Sequence, residues 1–166
     1  KILMQNPLEV INLSKSYNTK EAVKDISFRI NRNEIIGILG PNGCGKTTTI
    51  GMILGLLKPS QGKVLINGIE IENNRVDLLN ELNFISPYIE LPKKLTVRQN
   101  LEVYGRLYDI KNLNGKIDYL CEKLRLNELI NKITGELSSG QKNRVSLAKS
   151  IINNPTILLL DEPTAS

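Results

Sequence analysis

The sequence predicts an α/β fold: a mostly parallel core with helices, a small antiparallel β-subdomain at its front and an inserted helical subdomain. Three observations carry this. An apolar run, Glu34 to Leu39, leads through a glycine-rich loop into residues of helical period. A second helical stretch, Gly140 to Ile152, leads into another apolar run, Thr156 to Leu160. The remaining segments alternate at the front of the chain and keep helical period between Thr96 and Leu124.

Taken in order, Leu8 to Tyr17 alternates in part through Val10, Ile11, Leu13 and Tyr17, and Ala22 to Ile30 alternates through Ile26, Phe28 and Ile30. These predict two antiparallel strands joined at Asn18-Thr19-Lys20. Glu34 to Leu39 is short and apolar on both faces, which predicts a buried parallel strand. Ile50, Ile53, Leu54 and Leu57 recur at helical spacing, so a helix is expected from Lys46 to Leu57, stopped by Pro59. Lys63 to Gly68 predicts a strand and hairpin turn, with Ile69 to Ile71 returning. Asn83 to Ser86 predicts a short strand closed by Pro87. Val97, Leu101, Tyr104 and Tyr108 mark an amphipathic helix from Thr96, and another is expected from Asn114 to Leu124. Ser138 and Ser139 are good caps for the helix after them. Pro155 breaks that helix, and Thr156 to Leu160 predicts a second buried strand. The expected organisation is one domain over 1–166, with an antiparallel subdomain over 8–73 interleaved with the core and a helical subdomain over 87–152.

Composition narrows the function. The chain has 166 residues and no histidine, which excludes His-ligated zinc and Ser-His-Asp chemistry. Its two cysteines, Cys44 and Cys121, form no disulfide framework. No apolar run approaches the ~20 residues of a membrane-spanning helix. The net charge of +5 suits anionic partners, or simply a lysine-rich solvated surface. The chain opens on Lys1, and Asp161 to Ser166 follow directly on a strand-like run. The expectation is an incomplete domain whose core lacks its C-terminal part.

Gly40-Pro41-Asn42-Gly43-Cys44-Gly45-Lys46-Thr47 fits the pattern G-x-x-x-x-G-K-[ST], between a predicted strand and a predicted helix. Glycines let backbone N–H groups converge on an anion. The helix N-terminus adds unsatisfied donors and partial positive charge. Lys46 supplies a full charge to the outer phosphates, and the Thr47 hydroxyl suits Mg2+. Further on, Leu137-Ser138-Ser139-Gly140-Gln141 opens another helix, and Ile157-Leu158-Leu159-Leu160-Asp161-Glu162 ends an apolar run in two carboxylates. Beside a phosphate loop, Asp161 suits Mg2+ and Glu162 suits a base that orients water. Without such a loop they read as solvated acids at a strand end.

With these motifs in this order the chain resembles the ATP-binding domains of ABC transporters, members of the P-loop NTPase class. The family signature is LSGGQ, and its Walker B motif is an apolar strand ending in Asp-Glu. Here the signature reads LSSGQ, with Ser139 in place of a glycine. Lys142 to Ala148 and Asp161-Glu162-Pro163-Thr164 also look like the family, and the resemblance covers nearly the whole chain.

The resemblance implies that Gly40, Asn42, Gly43, Cys44, Gly45, Lys46, Thr47 and Thr48 bind the phosphates of ATP. It implies Mg2+ on Thr47 and Asp161, and catalytic roles for Lys46 and Glu162. Tyr17 matches the aromatic that stacks on adenine; the alternative is a strand-end tyrosine packed on the small sheet. Ser138, Ser139 and Gly140, with Gln141, match the signature that meets ATP held by a second domain in a head-to-tail pair. The alternative there is a plain capped helix.

The implied function is that of an ATP-binding subunit whose ATPase activity, in the complete protein, drives transmembrane transport. This chain alone is expected to turn over little ATP. Leu95 to Leu101 and Tyr104 to Tyr108 look most like export-type systems with a separate permease. Such a subunit is cytoplasmic, peripheral on the inner face of the cell membrane, and needs no nucleic acid. The alternative is a soluble ABC-type ATPase acting on the ribosome or nucleic acid.

Two departures stand out. Pro87 occupies the place expected for a glutamine that senses Mg2+ and links to the permease, with Ser86 as a weak substitute. Cys44 lies inside the phosphate loop, so thiol reagents are expected to block nucleotide binding and ATP to protect it. Cys121 is expected to pack between helices.

Overall fold

The computed structural model describes residues 6–86 and 90–161. The described residues divide into two compact units, one up to Leu82 and one from Asn83.

The first unit is built on a four-stranded sheet in the order β2-β1-β3-β4. β1 (Leu8–Tyr17) pairs antiparallel with β2 (Lys20–Ile30), in a register that sets Leu8 opposite Ile30 and Tyr17 opposite Lys20. The alternation read from the sequence reaches its purpose on one face, where Leu8, Val10, Leu13 and Val23 are buried. The ladder breaks between Val10 and Leu13, where Asn12 has φ 47. Side chains close the gap: Ser27 Oγ accepts from Asn12 N at 2.8 Å, and Ser14 Oγ accepts from Asp25 N at 2.8 Å. On the other side of β1 lies β3 (Gln61–Ile66), which returns through Asn67 and Gly68 into β4 (Ile69–Glu70). Both turn residues have positive φ, 49 and 78, as the predicted tight hairpin requires.

α1 (Lys46–Ile53) follows the glycine-rich loop and buries Ile50, Met52 and Ile53. It ends earlier than expected. Gly55, at φ 63, turns the chain out of the helix, and the amides of Leu56 and Leu57 both donate to Gly51 O, at 2.8 and 3.0 Å. The stop is therefore Gly55 and not Pro59. A further short helix, α2 (Arg75–Leu79), has no counterpart in the sequence reading.

The expected buried strand from Glu34 to Leu39 is overturned. That segment joins no ladder, and Ile35 and Leu39 are 98% and 94% exposed. The physical reason is that a strand exists only through its neighbours, and no described strand pairs with this segment.

The second unit carries a two-stranded sheet of β5 (Leu82–Ile85) and β6 (Ile157–Leu160), and three helices. α3 (Val97–Leu107) begins with a reciprocal cap. Thr96 Oγ1 accepts from Gln99 N at 3.1 Å, and Gln99 Oε1 accepts from Thr96 N at 2.9 Å. α4 (Leu113–Lys123) starts at Asn112, whose side chain accepts from Gly115 N. The last helix is α5 (Ser139–Ser150). Their apolar stripes meet in one core of Val97, Leu101, Ile117, Leu120, Val145 and Ala148, all fully buried. Cys121 joins this core, as expected of a packing residue, and burial pushes its thiol pKa up. β6 is only partly the buried strand expected: Ile157 is buried, but Leu160 is half-exposed, because β6 has one neighbour and not two. Pro87, and with it the start of the expected helical subdomain, lies outside the described residues.

Candidate nucleotide-binding site

The glycine-rich loop gathers its donors through backbone conformations that side chains resist. Gly43 and Gly45 have φ 82 and 97. A Cβ on Gly45 would overlap Ala22 O and stand 3.0 Å from Val23 Cγ2 in β2, so the loop can lie this close to the sheet only with glycine there. A Cβ on Gly40 would meet Cys44 Sγ at 2.5 Å. Gly45 is also the N-cap of α1, and it offers no side chain to the first turn. No acidic residue stands in that turn either. The helix opens with Thr49 N donating to Gly45 O at 2.8 Å, which leaves the amides of Lys46, Thr47 and Thr48 without an acceptor inside the helix. The result is a cluster of N–H donors at the positive end of a helix, the arrangement that attracts phosphate.

Lys46 lies back across the loop. Its Nζ donates to Gly40 O at 2.7 Å and to Pro41 O at 3.0 Å, and stands 4.0 Å from Cys44 Sγ. Two neutral carbonyls hold the cation; phosphate oxygens would bind it more strongly, because both partners would then be charged. Cys44, Asn42 and Thr47 are exposed. On the β2 side, Val23, Ile26, Phe28, Ile36 and Ile38 line an open apolar cavity of about 630 Å3 that reaches Gly45 and Lys46.

Tyr17 belongs to the same unit and stands half-exposed at the end of β1. The sequence reading missed its companion. Lys15 Nζ lies 5.2 Å from the centre of the Tyr17 ring and donates to Lys58 O at 2.7 Å. The signal was available: residues 15 and 17 share one side of a strand.

The second unit holds the other motif residues. Leu137 is buried and anchors the entry to α5. Ser138 Oγ accepts from Gln141 N at 3.3 Å, and Gln141 Oε1 accepts from Ser138 N at 3.0 Å. Each side chain is thus committed to the other residue's backbone amide. Ser139 and Gly140 are exposed, and a Cβ on Gly140 would meet nothing within 4 Å. Asp161 follows β6, with its N–H donating to Ile85 O at 2.9 Å. Glu162 lies outside the described residues. Among the described residues no three His, Cys, Asp or Glu side chains cluster as a metal site. In the helical unit, burial lowers the pKa of Lys149, whose Nζ stands 4.5 Å from the Tyr104 ring centre, and raises that of Tyr108.

Known proteins decide the family. Residues 23–165 match the model of the ABC transporter family. This chain belongs to that family. It is 41% identical over 160 residues to the Nod factor export ATP-binding protein I of Rhizobium johnstonii, covering 95% of this chain and 51% of that protein. It is 36% identical over 162 residues to the lipopolysaccharide export system ATP-binding protein LptB of Haemophilus influenzae, covering 93% and 66%. The solved structure of cbiO1 from Clostridium perfringens, part of the ABC transporter complex cbiONQ, superposes with a TM-score of 0.86 at 31% identity, over 98% of this chain and 67% of that one. The ABC ATP-binding fold expected from the motifs is therefore the fold of this chain. The chain spans about half the length of the Nod factor relatives it matches.

Proposed function

We propose that this chain binds MgATP in the loop from Gly40 to Thr48 and, in the complete protein, drives export of a substrate through a membrane-spanning permease. The observation that carries the reading is the loop itself: a helix N-terminus with no side-chain cap, two glycines at positive φ, and a lysine whose Nζ rests on two neutral loop carbonyls. Phosphate oxygens would take the free amides of the first turn and draw Lys46 off its carbonyls. Tyr17 would stack on the adenine.

Thr47 and Asp161 would hold Mg2+. A hydroxyl and a carboxylate are hard oxygen donors that suit this ion, and when bound it neutralises charge on the transferring phosphoryl group. Glu162 would orient water for attack, a role worth about 10²–10⁴ in rate. Ser138, Ser139 and Gly140, with Gln141 fixing the cap, would present the α5 N-terminus to ATP held by a second domain paired head to tail. In this reading 8–73 forms the antiparallel part interleaved with the core, and 87–152 the helical part.

Export is supported by relatives that are themselves named for export of Nod factor and of lipopolysaccharide. Attachment to the inner face of the membrane would come through the permease. No helix of the described residues is long and apolar enough to cross a membrane.

Equilibrium binding of MgATP to the purified chain tests the reading, with Lys46→Ala as control. Binding that is weakened at least tenfold in the variant supports it. Equal binding by both proteins would place the nucleotide elsewhere.

A further inference from the structure

A buried amide ties the entry of α3 to the approach to α5. Asn100, on α3, is fully buried. Its Nδ2 donates to Pro92 O at 3.1 Å, to Thr96 O at 3.2 Å and to Thr134 Oγ1 at 2.8 Å. Two hydrogens serve three acceptors, while Oδ1 has no partner among the described residues. Turning the amide over would set Oδ1 against two carbonyl oxygens, so its orientation is fixed. A leucine would fill the same space without the unpartnered Oδ1, but it would take the donor away from the buried Thr134 Oγ1. What the amide supplies and leucine cannot is a directed link.

The link joins two stretches of chain that run side by side. Thr134 N donates to Leu95 O and Gly135 N to Lys93 O, both at 2.9 Å. Val97 N donates to Lys132 O at 3.0 Å and Arg98 N to Ile130 O at 2.9 Å. Thr96 and Ile133 form an isolated bridge. Asn100 adds the side-chain tie across this seam, to Pro92 on one side and Thr134 on the other. From Thr134 the chain makes one 3-10 turn, buries Leu137 and reaches Ser138, the cap of α5.

We propose that Asn100 is a positioning residue for the N-terminus of α5. By holding Thr134 against the 92–96 stretch, it sets where the amides after Ser138 point. The inference rests on the reading that this terminus meets a phosphate, and its test separates the two.

The test uses the protein encoded by the complete reading frame. Thr134→Val keeps shape and removes the hydroxyl; Thr134→Ser restores it; Asn100→Leu removes the whole tie. Hydrogen exchange is followed at the amides of Gln141 and Lys142, with Val145 and Leu147 as references on the same helix. Thr134→Val is expected to speed exchange at Gln141 and Lys142 about fivefold, as loss of one hydrogen bond allows, and to leave the references unchanged. It should lower kcat for MgATP roughly tenfold, since misplacement near ~1 Å costs up to about 10²-fold, with KM within twofold. Thr134→Ser should recover both. Uniformly faster exchange along α5, unchanged exchange at Gln141, or a rise in KM with kcat intact would overturn the proposal and leave Asn100 a core staple. If Asn100→Leu does not fold, the two Thr134 variants decide. If the wild-type protein turns over no ATP, the functional reading fails, while the exchange pattern still decides the role of Asn100.

Discussion

The chain opens two helices on phosphate-type motifs, and it treats their first turns in opposite ways. α1 begins at Gly45, which has φ 97 and no side chain to cap with, so its early amides stay free. α5 begins at Ser138, whose hydroxyl accepts from Gln141 N while Gln141 accepts from Ser138 N. The early amides of α1 have no side-chain acceptor, and Lys46, itself a donor to the loop carbonyls, supplies none, so they stay available to an anion. A capped terminus is stable alone and keeps only part of its donor capacity for a visitor. Under the proposed function, this difference would separate a site that holds an anion within its own domain from one that meets an anion brought by a second domain.

The largest expected effect comes from giving α1 a side chain where it has none. Gly45→Ala forces a Cβ into Ala22 O at a φ that costs an L-residue about 1–2 kcal/mol by itself. The expected outcome is loss of detectable MgATP binding together with a lowered melting temperature. Retained affinity would mean that the loop can move off β2. Next comes Lys46→Ala. Loss of a charged partner is worth up to ~3 kcal/mol, or about 10²-fold in affinity. The melting temperature should hardly change, because Lys46 contacts only exposed loop atoms. A large fall in stability would instead make Lys46 part of the fold.

A smaller effect is read by thiol labelling. Cys44 is exposed within the α1 loop, whereas Cys121 is buried in the helical core. One thiol should therefore react at once and the other only on unfolding. MgATP should slow the first and leave the second unchanged. Equal labelling with and without nucleotide would remove Cys44 from the binding surface.

What the sequence made legible follows from how local each signal is. The period from Val97 and the cap at Ser138 are local signals, and the helices they mark begin within one residue of expectation; the reciprocal partners Gln99 and Gln141 appear only in the structure. The hairpin at Asn67-Gly68 was legible for the same reason. The phosphate loop could be found from its glycines, but the resting contacts of Lys46 could not, since they depend on where Gly40 O and Pro41 O end up. Glu34 to Leu39 was misread because apolar residues alone do not make a strand; a paired neighbour does. α2 is too short, at five residues, to show a period. The Asn100–Thr134 bond joins positions 34 apart in the chain, which no local pattern reports.

The smallest expected change in stability at a cap probes α5 and asks whether its terminus has a second role. Ser138→Ala removes the oxygen that accepts from Gln141 N. Loss of such a cap costs ~1 kcal/mol, about 2–4 °C in melting temperature for a chain of this size. Ser138→Asp keeps an acceptor at the same place, and its charge favours the positive end of the helix. Stability should therefore stay at or above that of the wild type. The same charge repels an incoming phosphate. If the α5 terminus meets the γ-phosphate of a paired domain, Ser138→Asp should abolish ATP-dependent pairing, measured by sedimentation of the complete protein, although it is the more stable variant. Ser138→Ala should weaken pairing only modestly. If α5 is no more than a capped helix, pairing will follow stability, and the aspartate variant will pair as well as the wild type.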